Sequence, residues 1–376
     1  MLVPHRPETV ASFGMPSFSV QTFRQALLRF GLRDGGKPGR EDLLIHAWTP
    51  RETVRRPSLD LAARLGAPYL VHLEDNERRL YLSFRAAAES RAHGQFGRWR
   101  RGLIDPREWR GFLAGAAGMT CIFESLERFR PAHVPGLVFW PGCEPEIFDL
   151  AATADAALRR SLGIPEGALV LFYPGNVHPA NVQDVAELYR AVTLLGRRGL
   201  PVYLVRTGHP ASGALAAKLE RPPNFIDLGD RPASRIPELL AVSDILVQPG
   251  RPDSFNNYRL PCKLPMFLAS GRPVVMPDCN LATHLRDGEH CLVTRTGSAE
   301  EIAGKVEALA ADPELRRRLG RNGRAFAHAN LRWEIAAKRL LRFYEETLAT
   351  AGRSRPRPFD SLSERANGSP PLDASR

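Results

Sequence analysis

"ALVLFYPGNVHPANVQDVAELYRAVTLLGRRGLPVYLVRTG" runs from Ala168 to Gly208, and its punctuation decides the fold class. An apolar run ends at Gly175, a helical pattern starts near Asn181, and a second apolar run ends at Gly208. Strands that end in glycine and are followed by helices are the pattern of a parallel, doubly wound sheet. The alternation continues through "FIDLGD", the helix "SRIPELLAVSD" and the strands "ILVQP" and "PVVMP". Helices follow from Ala299 to Leu309 and from Pro313 to His328, and a long one from about Trp333 to Leu348 closes the domain.

Upstream the same plan recurs. "EDLLIHAWTP" has a short apolar core, Leu43 to Ala47, that reads as a buried strand, and "APYLVHLED" (Ala67 to Asp75) repeats it. Between them lies a helical pattern, Ser58 to Leu65, ended by Gly66. A helix from about Pro106 to Ala117, a strand at Met119 to Phe123, a short helix at Ser125 to Phe129 and the strand in "GLVFWPG" complete the first half. The turn-rich stretch Pro141 to Gly167 interrupts the strands and marks a boundary. It predicts an N-terminal domain over 1–145, a C-terminal domain over 146–330, a closing helix over 331–351 and a disordered tail over 352–376 rich in Arg, Ser and Pro. At 376 residues and 43% apolar content the chain can build two cores. Its start, "MLVPHRPETVASFGMPSFSVQ", offers Gly14 but no convincing strand, which leaves two alternatives, a first domain trimmed there or a misassigned start.

Composition narrows the function. No apolar run reaches the roughly 18 residues of a membrane span, and the amino terminus lacks the basic-then-apolar pattern of a secretory signal, which predicts a cytoplasmic protein. The five cysteines contain no C-x-x-C pair, so neither a disulfide framework nor a zinc site is expected. Lys and Arg outnumber Asp and Glu by 52 to 41, a formal charge of +11, which favours an anionic partner. The densest cluster, Arg91 to Gly111, interleaves Arg98, Arg100, Arg101, Arg107 and Arg110 with Trp99 and Trp109. Such a run suits bases, a lipid headgroup layer or one solvated amphipathic face. No zinc knuckle, RNA-binding motif or helix-turn-helix signal supports nucleic acid.

In open parallel sheets, ligands bind beyond the carboxyl ends of the strands. Three such ends in the second half carry polar residues. In "PGNVHPAN", Gly175 lets the backbone approach a ligand, and Asn176, His178 and Asn181 supply polar contacts or ordinary capping; the spacing of a P-loop is absent. "VRTGH" places Arg206 and Gly208 at a strand end, where the arginine serves a ligand or merely solvates the edge. "YRLPCKLPMFLASGRPVV" (Tyr258 to Val275) sets Arg259 and Lys263 at a helix start with no carboxylate in the stretch to neutralise them, an arrangement that a diphosphate fits. In the first half "VHLEDNE" brings His72, Glu74, Asp75 and Asn76 to a strand exit, either to orient or deprotonate a bound hydroxyl or as a self-capping polar exit. "HAWTPRETVRR" (His46 to Arg56) is a cationic exit suited to a phosphorylated ligand, or to water.

The motifs from "LRRSLGIPEGALVLFYPGN" through "YRLPCKLPMFLASGRPVV" to "LRDGEHCLVTRTGSAEEIAGKVEALAADPELRRRLGRNGRAF" together resemble the carboxyl-terminal domain of the retaining family 4 glycosyltransferases, over roughly Leu158 to Leu348. In the first half the resemblance rests on "PYLVHLEDNE" and the strand order. It implies an α/β GT-B architecture, two Rossmann-like doubly wound parallel-sheet domains facing a cleft. It also implies a nucleotide-sugar donor in the C-terminal domain, a glycan or lipid-linked acceptor mostly in the other, peripheral membrane contact at the inner face left open, and no cofactor or divalent metal. Gly175, Asn176, Arg206, Gly208, Arg259, Lys263 and Glu300 then become candidates for donor binding, with Glu300 alternatively a capping acid after Ser298, and His72, Glu74 and Lys263 candidates for catalysis. One departure stands out: the family's E-x7-E acids fall at Tyr258 and Met266. A thioether is a poor acceptor for a sugar hydroxyl, so Asp253 or Glu74 becomes the candidate substitute, and a nucleotide-binding pseudo-enzyme becomes the alternative.

Overall fold

The structure, a computed structural model, describes residues 1–3, 18–31, 43–89, 108–150, 156–209 and 213–353. Gly14, most of the Arg91 to Gly111 cluster and the tail beyond Arg353 lie outside the described residues. In chain order the first half contains β1 (Leu2–Val3), β2 (Gln21–Thr22), α1 (Phe23–Gly31), β3 (Ile45–Trp48), α2 (Glu52–Leu65), β4 (Tyr69–Leu73), α3 (Glu77–Glu89), α4 (Trp109–Ala114), β5 (Gly118–Cys121), a 3-10 turn over Glu124–Phe129 and β6 (Gly136–Val138). After the short helices α5 (Pro145–Phe148) and α6 (Ala156–Ser161) come β7 (Leu169–Pro174), α7 (Val182–Arg197), β8 (Val202–Thr207), β9 (Phe225–Asp227), α8 (Ile236–Val242), β10 (Ile245–Val247), α9 (Lys263–Ala269), β11 (Val274–Pro277) and β12 (Leu292–Thr294). The chain closes with α10 (Ala299–Ala311), α11 (Pro313–Asn330) and α12 (Trp333–Arg353).

The first half builds a four-stranded sheet, β3-β4-β5-β6, and the second a six-stranded sheet, β12-β11-β10-β7-β8-β9, with every described strand pair parallel. Alternation along β7 shows why its apolar run is continuous. Val170 and Phe172 enter a core with Phe267 and Leu268 of α9, whereas Leu171 and Tyr173 enter another with Leu188 and Val192 of α7. Both faces of the strand are covered, so no polar residue is tolerated on either. A third core gathers Tyr69, Val71, Leu73, Phe112, Leu113 and Met119 around the smaller sheet.

Four local expectations change. α2 begins at Glu52 rather than Ser58 and carries Pro57 inside it; Glu52 holds Arg55 at 2.7 Å and Arg56 at 2.8 Å, tying the first turn on the amino-terminal side of the proline. β12 was not anticipated, because three residues between a turn and a glycine loop carry too little pattern. Leu2–Val3 and Gln21–Thr22 form a small parallel pair near a start that shows no convincing strand in sequence. The closing helix does not close the second sheet. Cys143 pairs with Arg332 beside the linker, and α12 then crosses to the first sheet, where Tyr344 meets His46 Nδ1 at 2.7 Å. The Phe343 ring lies over Gly118 so closely that a Cβ there would be 2.9 Å from it.

Within the described part of the cationic cluster Trp109 packs edge-on against Phe129 with centroids 5.5 Å apart, while Arg110 is exposed. Cys121, Cys143, Cys279 and Cys291 are buried free thiols and Cys262 is an exposed one. Among the described residues, no helix is long and apolar enough to cross a membrane, and no group of three or more His, Cys, Asp or Glu is placed to hold a metal ion.

Candidate active site

Numbered from β7, the large sheet has the order 3-2-1-4-5-6, so the direction of winding reverses between β7 and β10. A crevice opens at the carboxyl ends of strands at such a reversal. Here it is bounded by the loop from Gly175 to Asn181 after β7 and by Gln248 to Cys262 after β10. The second loop leans on the carboxyl ends of the other sheet: Asn76 Nδ2 donates to Ser254 O (3.5 Å), Ser125 Oγ donates to Asn257 O (2.6 Å), and Arg128 bonds the Tyr258 hydroxyl. The two sheets therefore face each other by their carboxyl ends.

The loop after β7 is held by its own side chains. Asn181 accepts from His178 N (2.8 Å) and donates to Asn176 O (2.9 Å), and Asn176 Oδ1 accepts from His209 N (2.7 Å). Asn176 and Asn181 thus shape the loop. Gly208, at φ 109°, packs against it so tightly that a Cβ would lie 2.7 Å from the carbonyl carbon of Gly175. Gly175 itself makes room for a cation, because a Cβ there would lie 2.9 Å from Lys263 Nζ.

That amine sits 4.5 Å from the centroid of the Tyr173 ring, and Arg259 lies 4.7 Å from that of Phe255. Among the described residues neither takes a carboxylate partner. Burial, with the Arg259 charge adding to it and the Cys262 side chain opposing it, brings the Lys263 amine down to about 8. His178 is pushed down to about 4 by burial and by the same two cations. Asp75, from the opposite sheet, feels Arg259 across the cleft. The pair is therefore held in the crevice with ring contacts but no carboxylate contact among the described residues, an arrangement that an anion completes. A consequence is testable by pH: above about 8 the free protein holds Lys263 neutral. Nucleoside diphosphate affinity, measured by titration calorimetry between pH 7 and 9.5, should weaken by up to tenfold per unit above that point. Lys263→Arg should remove the slope.

Other expected donor contacts are placed differently. Arg206 is 2% exposed and its Nη1 bonds both oxygens of Asp227 at 3.1 and 3.0 Å. Its Nη2 holds the carbonyls of Gly175 (3.4 Å) and His209. It is a strut beneath the loop, because its charge is already matched. Glu300 is exposed, and the capping acid is Glu301, which accepts from the backbone of Arg295, Thr296 and Gly297 while Ser298 Oγ accepts from Glu301 N at 3.2 Å. Met266 is half-buried against the α9 core, and Tyr258 turns to the other sheet, packing on Phe129. Asp253 is partly spent on its own loop, its Oδ1 capping Phe255 N (2.8 Å) and Asn256 N (2.7 Å).

On the opposite wall, His72 does not reach the cleft. It is 1% exposed, bonds Thr120 Oγ1 through Nδ1 at 2.8 Å, and is roofed by Trp48 with ring centroids 4.0 Å apart. Burial, then the neighbouring His46, holds it well below its ordinary range. Glu74 does belong to the exit. Trp48 Nε1 donates to its Oε1 at 2.8 Å, and burial raises its carboxyl, as it does that of Asp75. The cationic exit is neutralised: Arg51 pairs with Glu77 at 2.9 Å, and Arg55 and Arg56 with Glu52. Burial pushes Glu77 up to about 7, and Arg51 keeps it from rising further. Sequence reading missed Trp48, the Arg51–Glu77 pair and the Tyr258 contact. The only hint was an aromatic residue at a strand end beside a carboxylate-rich exit.

Two Rossmann-like sheets facing by their carboxyl ends, with a cation pair at the winding reversal of the second, define the GT-B architecture. Anabaena HepE, solved in complex with UDP and glucose, superposes with a TM-score of 0.65 at 14% identity, over 91% of this chain and 89% of that one. Sucrose-phosphate synthase from Thermosynechococcus elongatus superposes at 0.62 and 15% identity, over 87% and 78%. Residues 168–312 match the family model of the glycosyl transferases group 1. Among curated proteins it is similar to the D-inositol 3-phosphate glycosyltransferases of Nocardia farcinica, 30% identical over 51% of this chain and 44% of the relative, and of Acidothermus cellulolyticus, 30% identical over 56% and 47%. The chain thus spans about half the length of the curated relatives it matches.

Proposed function

We propose that the protein transfers a sugar from a nucleoside-diphosphate donor to a hydroxyl of a glycan or lipid-linked saccharide, with retention and without a divalent metal. The observation that carries this reading is the Lys263–Arg259 pair over Gly175, lacking a carboxylate partner among the described residues. In the step envisaged, the bond between the anomeric carbon and the diphosphate oxygen breaks and its electron pair goes to that oxygen. Lys263 and Arg259 stabilise the charge that develops there. The acceptor hydroxyl bonds to the anomeric carbon on the face the diphosphate leaves, and its proton passes to the departing diphosphate. The UDP in the HepE complex supports the donor class.

The test is a thermal-shift screen against UDP-, GDP-, ADP- and dTDP-sugars. At a hundredfold excess over Kd a bound donor stabilises by about 2.7 kcal/mol, a shift of several degrees. No shift with any donor overturns the reading. Apolar and aromatic residues at the family's two acid positions, Met266 and Tyr258, support a second reading, a pseudo-enzyme that binds donor and turns nothing over. Donor binding without diphosphate release across an acceptor panel, unimproved in Met266→Glu, would establish it.

A further inference from the structure

We propose that Trp48 and Glu74 form a subsite for an uncharged pyranose or cyclitol ring of the acceptor, a deepening that rests on the transferase reading above. Trp48 ends β3 and is 44% exposed. It is not a loose surface residue. One face of the indole rests on His72, its edge meets Phe139 with centroids 6.2 Å apart, and its Nε1 is fixed on Glu74. His46 packs against the indole as well, with centroids 5.1 Å apart, and the part of the ring these contacts leave uncovered accounts for its exposure. An immobilised aromatic face beside hydrogen-bonding groups matches a sugar ring, which presents C–H groups on one side and hydroxyls around its rim.

The backbone next to the platform is strained. Thr49 follows Trp48 at φ 92°, a conformation that a β-branched residue rarely adopts, and its N–H donates to His72 O at 3.2 Å. Strain of this kind is maintained only where the surroundings demand it. Beneath the indole, His72 Nε2 is buried with no hydrogen-bond partner among the described residues. The platform also lies at the cleft, because Asn76 on the same exit touches Ser254 of the opposite sheet.

Charge selects the ligand. Arg51, Arg55 and Arg56, the cations nearest in sequence, are spent on Glu77 and Glu52, and Arg259 across the cleft acts on Asp75 rather than Glu74. Glu74 keeps its second oxygen without a hydrogen bond among the described residues, and Asp75 stands beside it. A phosphorylated ring placed here meets carboxylates, whereas an uncharged ring donates hydroxyls to them. The subsite therefore prefers the neutral ring, in contrast to the D-inositol 3-phosphate in the names of the curated relatives.

Saturation-transfer NMR on the full chain with methyl α-D-glucopyranoside, methyl α-D-mannopyranoside, myo-inositol and glucose 6-phosphate tests this. At least one neutral ring should bind, with the phosphorylated ring tenfold weaker or worse. Trp48→Ala should abolish the signal, Trp48→Phe retain part of it, and Glu74→Gln keep the ring while relaxing discrimination against phosphate, all with donor thermal shifts preserved. Binding by no ring, unchanged binding in Trp48→Ala, or tighter binding of glucose 6-phosphate overturns the proposal. A ring signal that depends on Trp48 in a protein that binds no donor would sink the transferase reading and leave the subsite standing.

Discussion

Lys263→Ala is expected to lower sugar transfer by roughly 10²–10³-fold, the scale on which removing one preorganised donor to a developing oxyanion acts. Donor affinity should also fall by about tenfold or more, since a charge-assisted hydrogen bond contributes on the order of 1.5–3 kcal/mol. The free protein should melt no lower than wild type. In the free protein, burial, with the Arg259 charge adding to it, penalises the protonated amine and brings it down to about 8 from 10.5, so at neutral pH folding works against that charge. Removing it relieves a cost that only bound diphosphate repays. Steady-state diphosphate release and a melting curve without nucleotide check both halves. A large drop in melting temperature with unchanged donor affinity would make Lys263 a structural residue instead.

Arg206→Leu should show the opposite signature. The guanidinium is 2% exposed and matched to Asp227, so truncation leaves a carboxylate that is 18% exposed without its cation, and the carbonyls of Gly175 and His209 without their donor. Breaking a buried pair by removing one partner costs about 3–5 kcal/mol. In a domain of this size that is roughly 10 °C in melting temperature. Loss of donor affinity would follow from the disturbed Gly175 loop, and calorimetric unfolding separates the two effects. An unchanged unfolding transition would return Arg206 to the role of a ligand contact.

The contrast between these two cations shows what local reading can resolve. Lys263 and Arg259 stand in a stretch with no acid, and in the fold they still have no carboxylate partner among the described residues. Arg206 looked equally free, but β8 and β9 pair in a register that sets it opposite Asp227, 21 residues away. Glu300 and Glu301 differ by one position, and the capping geometry, with Glu301 in the third helical position after Ser298, chose the second. His72 carries the residue type expected of an acid–base group, yet Trp48 roofs it, and only the packing of β3 beside β4 reveals that roof.

The parallel α/β class and the alternation of most of the elements were therefore determined by the sequence alone, because apolar runs that end in glycine and alternate with helical patterns have few ways to bury both faces of a strand. The same is true of the two cations in the crevice, since nothing near them in the chain opposes their charge. Tertiary structure alone decided which charges were already matched, which rings faced solvent, and that α12 returns to the first sheet. Those properties belong to pairs of residues far apart in the chain, and neither member of such a pair carries the other's position in its own neighbourhood.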